Sequence, residues 1–318
     1  MGPVRVLVTG AAGQLGRDLV DALSGRVPDG GLEGSPATGR LGRRPAVEVV
    51  ATDFAGLDNV PADHRVPLDI TDRGAVRSVM EAFQPDVVIH GAAWTQVDAC
   101  EADPDRAFGV NALGTRNMVE GARVHGAHLV YISTDYVFDG ESPRPYLEWD
   151  PPCPLSVYGR SKFAGELEID PGSTIVRISY VSGAHGSNMV GTVLRLAAKP
   201  GPLRFVDDQR GSPTFTADLS GLLTVLATER LPGIFHATNQ GVTSWFGFAA
   251  AVLAAAGDDP SRVEPISTAE LDPPRAAPRP TNSVLDNAAL RLSGVPLLPD
   301  WEDALGRLVP FFMAREPH

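Results

Sequence analysis

Cysteine is nearly missing from this 318-residue chain. Only Cys100 and Cys153 are present, too few for a disulfide framework or a cysteine-rich metal site. A reducing, cytoplasmic setting is therefore expected, and no metal is predicted. Basic charge is also scarce. Against 39 Asp and Glu stand 27 Lys and Arg, for a net charge of −12, which argues against nucleic acid and anionic membrane surfaces as partners. No apolar run approaches the ~20 residues of a membrane span. The N-terminus leads directly into Val4–Thr9, without the charged flank, long apolar region and cleavage site of a secretory signal. Internal repeats and low-complexity blocks are lacking too. What remains is an acidic globular chain, 43% hydrophobic, long enough for one large or two smaller domains.

The first stretch with chemical content reads as strand, glycine turn, helix. Val4 to Thr9 is apolar and β-branched, Gly10-Ala11-Ala12-Gly13-Gln14-Leu15-Gly16 follows, and Arg17 to Leu23 is amphipathic. In such a turn Gly10 permits the reversal and Gly13 lets backbone N–H groups, with Gln14 and Leu15 at the helix start, approach a pyrophosphate. Gly16 allows close helix–strand packing. A second strand, Val47 to Thr52, ends at Asp53, placed to accept hydrogen bonds from an adenosine ribose and so to favour NADH over NADPH. Residues 24–46 between them are rich in Gly, Pro and Arg and read as a long surface loop. Arg40, Arg43 and Arg44 in that loop offer the opposite choice, a 2′-phosphate site, so both cofactors stay open.

Further strands are expected near Val66 and at Asp86–His90, Ala127–Ser133 and Thr174–Ser179, with the unalternating apolar pattern of a sheet covered on both faces. The fold class is α/β, a Rossmann-type doubly wound parallel sheet with a smaller C-terminal substrate-binding region. Residues 1–170 form the dinucleotide-binding domain and 171–318 mainly the second region, which returns strands to the first. Ligands of such sheets bind at the carboxyl ends of the strands. That edge carries Asp69 and Ile70, with Asp69 either adenine-facing or a turn residue, and Ala92, Ala93 and Thr95, whose small size leaves room for a cofactor. Thr71 or Asp72 caps the next helix. Asn111, unfavourable inside a helix, either faces solvent or holds a bend or a water beside the site. His90 reads as a buried strand residue. Helices are expected around Leu219–Leu226 and over Trp245–Ala256, the latter for packing, and the Pro-rich run from Asp272 to Pro280 as an ordered crossing.

Tyr158 and Lys162 stand four residues apart at the start of an expected helix, on one face of it. A phenol titrates near ~10, so it exchanges protons at neutral pH only if a nearby cation stabilises its phenolate. Lys162 is the candidate cation. Thr134, at the end of the fifth strand, is the candidate donor to a substrate carbonyl. A hydroxyl, a phenol and an amine converging at one strand edge suit carbonyl reduction.

The glycine turn, Leu68-Asp69-Ile70-Thr71-Asp72, Asn111-Ala112-x-Gly114-Thr115, Ser133-Thr134-Asp135 and Tyr158-x-x-x-Lys162 together resemble the extended short-chain dehydrogenase/reductases. Four longer blocks look more narrowly like the dTDP-4-dehydrorhamnose reductases: Ala92-Ala93-x-Thr95-x-Val97-Asp98, Ser133-Thr134-Asp135-Tyr136-Val137-Phe138-Asp139-Gly140, Asp208-Gln209-x-Gly211-x-Pro213-Thr214 and Arg279-Pro280-x-Asn282-Ser283. The resemblance implies NADH- or NADPH-dependent reduction of the 4-keto group of a dTDP-linked 6-deoxy-L-hexose. Thr134 then polarises the carbonyl, Tyr158 supplies the proton, and Lys162 holds the nicotinamide ribose and lowers the phenol's pKa. Val97, Tyr136, Tyr180 and Asn188 fall at the sugar. Tyr180 stands where the family usually has Trp, so a phenol hydroxyl is expected to meet the hexose. Asp18 is shorter than the acidic residue of members that dimerise around a metal, and a homodimer is left open. Two rival readings follow: a reductase of another nucleotide-activated 4-keto-deoxysugar, or a non-catalytic dinucleotide-binding regulatory subunit.

Overall fold

The computed structural model describes residues 2–27 and 46–314; Arg40, Arg43 and Arg44 lie outside them. Seven parallel strands make the central sheet: β1 (Val4–Thr9), β2 (Val47–Asp53), β3 (His64–Pro67), β4 (Val87–His90), β5 (His128–Thr134), β6 (Thr174–Ile178) and β7 (Gly233–His236). They lie in the order β7-β6-β5-β4-β1-β2-β3. The chain therefore runs outward to β3, then returns across β1 to β4, where Val6 is in register with Val49 on one side and Val87 on the other. That reversal opens a crevice beyond the carboxyl ends of β1 and β4.

Both faces of the sheet are buried, which explains the missing alternation. Val6, Val8, Val49, Val87, Ile89, Val130 and Val176 pack with Leu19, Val20 and Leu23 of the Gln14–Leu23 helix and with Leu219, Leu222, Leu223 and Leu226. On the other face Leu7, Val50, Val88, Leu129 and Tyr131 meet Val76 and Met80 of the Arg73–Phe83 helix and Met118 and Ala122 of the Thr115–His125 helix. Asp72, rather than Thr71, caps the Arg73–Phe83 helix, accepting from Ala75 N at 3.0 Å. The helix over Thr216–Thr228, expected in the second region, completes the sheet's core with its leucines; the strand that this part of the chain returns to the first domain is β7, which extends the sheet beside β6.

A separate core holds the C-terminal region together. Val190, Val193, Phe248, Val252, Leu253, Trp301, Leu305 and Leu308 pack as one cluster. The Pro-rich crossing is tied down towards its C-terminal end: Asp98 accepts from Ala277 N and from both Arg279 Nη atoms, at 3.0, 2.6 and 2.6 Å, and just beyond it Ser283 N donates to Arg210 O at 2.8 Å. No described helix is long and apolar enough to cross a membrane.

Candidate active site

A cleft of about 1170 Å³ opens at the carboxyl ends of β1, β4, β5 and β6, large for one small ligand. Every described residue predicted for cofactor or substrate lines it, except Asn111 and Asn188. At one end lies the glycine turn. Gly10 adopts φ +72, and a Cβ at Gly16 would collide with Gly10 O, so the helix sits directly on the turn. Gly13 caps that helix with no side-chain hydrogen bond, leaving its first N–H groups to face an anion. Asp53 is fixed beside them, its Oδ2 accepting from Ala12 N at 2.9 Å and its Oδ1 from Phe54 N at 2.7 Å. Asp69 Oδ1 accepts from the Thr71 amide and hydroxyl at 2.9 and 2.7 Å, so the cleft-lining residue also makes a turn. Gly16→Ala should force the helix off the turn, at roughly 1–3 kcal/mol for an overpacked contact. A melting temperature and cofactor affinity equal to the parent's would contradict this.

Gln14 does more than start a helix. Its Oε1 accepts from Gly183 N at 3.0 Å and Asn188 Nδ2 at 2.7 Å, tying the glycine turn to the loop after β6. Asn188, next to the cleft-lining Ser187, caps the Met189–Ala197 helix through Gly191 N and braces that loop by donating to Gly183 O at 2.7 Å. Asn111 is withdrawn from the surface. It lies in a π-helical turn over Gly109–Gly114, accepts from Trp94 N at 2.8 Å, and donates to Trp94 O at 3.1 Å and Ser161 Oγ at 2.9 Å. The bend it holds joins the loop after β4 to the Tyr158 helix. His90 is buried between the Thr9 and Thr115 hydroxyls, at 2.7 and 3.2 Å. Burial pulls its pKa to about 3, so it stays neutral.

At the other end of the cleft stand the three predicted catalytic groups, all buried. The Val157–Glu166 helix, capped by Ser156 through Gly159 N, presents Tyr158 and Lys162 on one face. The Tyr158 phenol faces the Thr134 hydroxyl, and burial pushes its pKa well above the ordinary value. Lys162 Nζ donates to Ile132 O at 2.8 Å and sits 4.1 Å from the Tyr131 ring centroid. Burial draws its pKa down to about 7, opposed by Glu166 one turn on. The expected lowering of the phenol's pKa by Lys162 is therefore not what this arrangement gives: desolvation dominates at Tyr158, and the ammonium is directed at a strand-end carbonyl.

Tyr136 meets Tyr158 edge-on, ring centroids 5.5 Å apart. Tyr180 lines the cleft, but its hydroxyl donates to Gln209 O at 3.3 Å rather than facing a hexose. Its ring stacks on Trp245 at 3.8 Å. Trp245, expected only to pack, thus brings an indole to the wall beside the position where the family's Trp is replaced. Trp94 and Arg106 also line the cleft, the guanidinium 4.5 Å from the indole centroid. Both were missed because no local pattern pairs them. Among the described residues, no cluster of His, Cys, Asp or Glu could hold a metal.

A family model described as the RmlD substrate binding domain matches residues 4–312. A dTDP-4-dehydrorhamnose reductase of Streptomyces griseus is 40% identical over 98% of this chain and 95% of its own length. A dTDP-4-keto-6-deoxy-D-glucose reductase of Streptomyces niveus is 36% identical, covering 98% of this chain and 99% of its own. The crystal structure of a dTDP-4-dehydrorhamnose reductase from Bacillus anthracis in complex with NADP has a TM-score of 0.81 at 36% identity, covering 98% of this chain and 99% of that one.

Proposed function

This chain belongs to the RmlD substrate binding domain family, and from that premise we propose that it reduces the 4-keto group of dTDP-4-dehydro-L-rhamnose to give dTDP-L-rhamnose. It is an NAD(P)H-dependent sugar-nucleotide oxidoreductase of the short-chain dehydrogenase/reductase kind, and its reading as a cytoplasmic enzyme fits that substrate. One observation carries the chemistry: a buried phenol, hydroxyl and ammonium share a cleft with an uncapped helix N-terminus. When bound, the nicotinamide supplies the hydride. Gln14 and Leu15, reached past the bare Gly13, would offer N–H groups to the pyrophosphate, Asp53 the ribose contact, and Lys162, with two N–H groups beyond the one used on Ile132, would hold the second ribose. Tyr158 gives its proton to the carbonyl oxygen, and the Thr134 hydroxyl shares that oxygen.

Cofactor choice is testable directly. With Asp53 held against the turn by Ala12 N, a 2′-phosphate would meet a carboxylate, so NADH should bind at least as tightly as NADPH. Fluorescence titration with both measures this, and an NADPH preference of about tenfold or more, worth about 1.4 kcal/mol, would remove Asp53 from that role. The second reading, another dTDP-4-keto-deoxysugar, is favoured by one feature, the Tyr180–Trp245 stack where a single indole is usual. Ranking kcat/KM across dTDP-4-keto sugars separates the two.

A further inference from the structure

Asp135 follows Thr134 and is buried, with no cation paired to it among the described residues. Thr134 Oγ1 donates to its Oδ1 at 2.9 Å and Ser179 Oγ to its Oδ2 at 2.7 Å; the Ser283 hydroxyl stands near the carboxylate and donates to Arg210 O at 3.3 Å. A threonine hydroxyl has one hydrogen and two lone pairs. Tyr136 N already fills one lone pair of Thr134, at 3.2 Å. With Asp135 ionised, the single Thr134 hydrogen points at the carboxylate and is withheld from a carbonyl in the cleft.

We propose that Asp135 is a positioning residue that acts as a carboxylic acid: its own proton is donated to Thr134 Oγ1, which turns the Thr134 hydrogen outward to the substrate carbonyl. The inference rests on the reading of Thr134 and Tyr158 as the carbonyl-binding pair. Burial without a cation raises the Asp135 pKa, against the opposing effect of the nearby Ser283, Ser179 and Thr134 hydroxyls. The groups facing it are phenols: Tyr136 beside it in the chain, Tyr158 on the neighbouring helix and Tyr180 after β6, each of which an ionised Asp135 pushes upward. Arg279 reaches only Tyr136 of these. Protonation of Asp135 therefore also removes a negative charge from beside the phenolate that Tyr158 becomes after proton transfer.

The sign follows. Activity is retained while Asp135 is protonated and falls as pH rises through its raised pKa, about tenfold per unit. A second fall belongs to Lys162, which loses its charge above about 7. Asp135→Asn places an amide donor against Thr134 and an oxygen under Ser179, mimicking the acid. The kcat/KM profile of the variant should lack the component of the falling limb set by Asp135 and keep the one set by Lys162, with a plateau lowered by less than about tenfold. An unshifted limb, or loss of turnover at every pH with cofactor binding intact, would overturn the proposal. If Asp135→Asn does not fold, Ser179→Ala decides. Removing a donor to the ionised form raises the Asp135 pKa, so the limb must move to higher pH, and a limb that stays in place refutes the idea. Infrared titration of the protein without substrate gives a readout independent of turnover: a protonated-carboxyl band present in the parent and lost in Asp135→Asn. That band in a protein that reduces no keto sugar would mean the functional reading had failed and the Asp135 assignment had not; its absence at a pH where the enzyme turns over sinks the assignment alone.

Discussion

Tyr158→Phe is expected to lower kcat by roughly 10²-fold or more, the usual worth of a positioned acid, while cofactor affinity stays within about twofold. Removing one oxygen leaves the ring that packs with Val157, Cys100 and Ala107, so fold and cleft persist. Burial holds the phenol protonated across the neutral range, which suits a donor in the direction of reduction. The titration of Tyr158 therefore does not set the working pH range; Lys162, near 7, and Asp135 do. Single-turnover and steady-state rates with saturating cofactor check the loss, and a fall of less than about tenfold would take Tyr158 out of the chemistry.

The second large effect is on stability. Arg177, in β6, and Glu166, at the end of the Tyr158 helix, form a buried bidentate pair: Nε to Oε1 at 2.9 Å and Nη2 to Oε2 at 2.7 Å. Ser133 Oγ donates to Oε1 at 2.5 Å, so the pair anchors the end of the catalytic helix to two strands. Arg177→Met leaves a buried carboxylate without its cation and should cost about 3–5 kcal/mol. Arg177→Met with Glu166→Leu removes both charges, and should recover most of that loss. Denaturant unfolding of the three proteins measures it. A single-variant loss below about 1 kcal/mol, or no recovery in the double variant, would contradict the ledger of a desolvated charge. Since the helix also carries Tyr158 and Lys162, the folded fraction of Arg177→Met should show a raised cofactor Kd as well.

Local spacing made much of this legible. The glycine turn needs only neighbours in sequence: Gly10 must reverse the chain, and Gly16 must let the helix approach Gly10 O. The Tyr158–Lys162 pair needs only the helical repeat, and Asp53 only the length of β2. What spacing does not carry is contact between distant segments. Asn111 stands out as an asparagine inside a helix and Asn188 by its position in the family resemblance, yet each amide is drawn to distant partners, one to the Trp94 peptide and Ser161, the other to Gln14 across 174 residues. Trp245 reads as one more apolar residue in an alanine-rich helix until the fold stacks it on Tyr180. β7 is four residues long and part of an irregular stretch, so the sequence predicts a returning strand without showing that Gly233–His236 is the one that joins β6. Nor does the Lys162 pattern reveal that its ammonium is held by Ile132 O.

The most direct measurement follows NADH or NADPH absorbance with purified protein and dTDP-4-dehydro-L-rhamnose, with the product identified by mass and proton NMR. Stoichiometric oxidation of the cofactor with formation of dTDP-L-rhamnose, abolished in Tyr158→Phe, is the predicted result. Tight cofactor binding with no oxidation in the presence of any dTDP-4-keto-deoxysugar would contradict the account and leave a dinucleotide-binding protein without reductase activity.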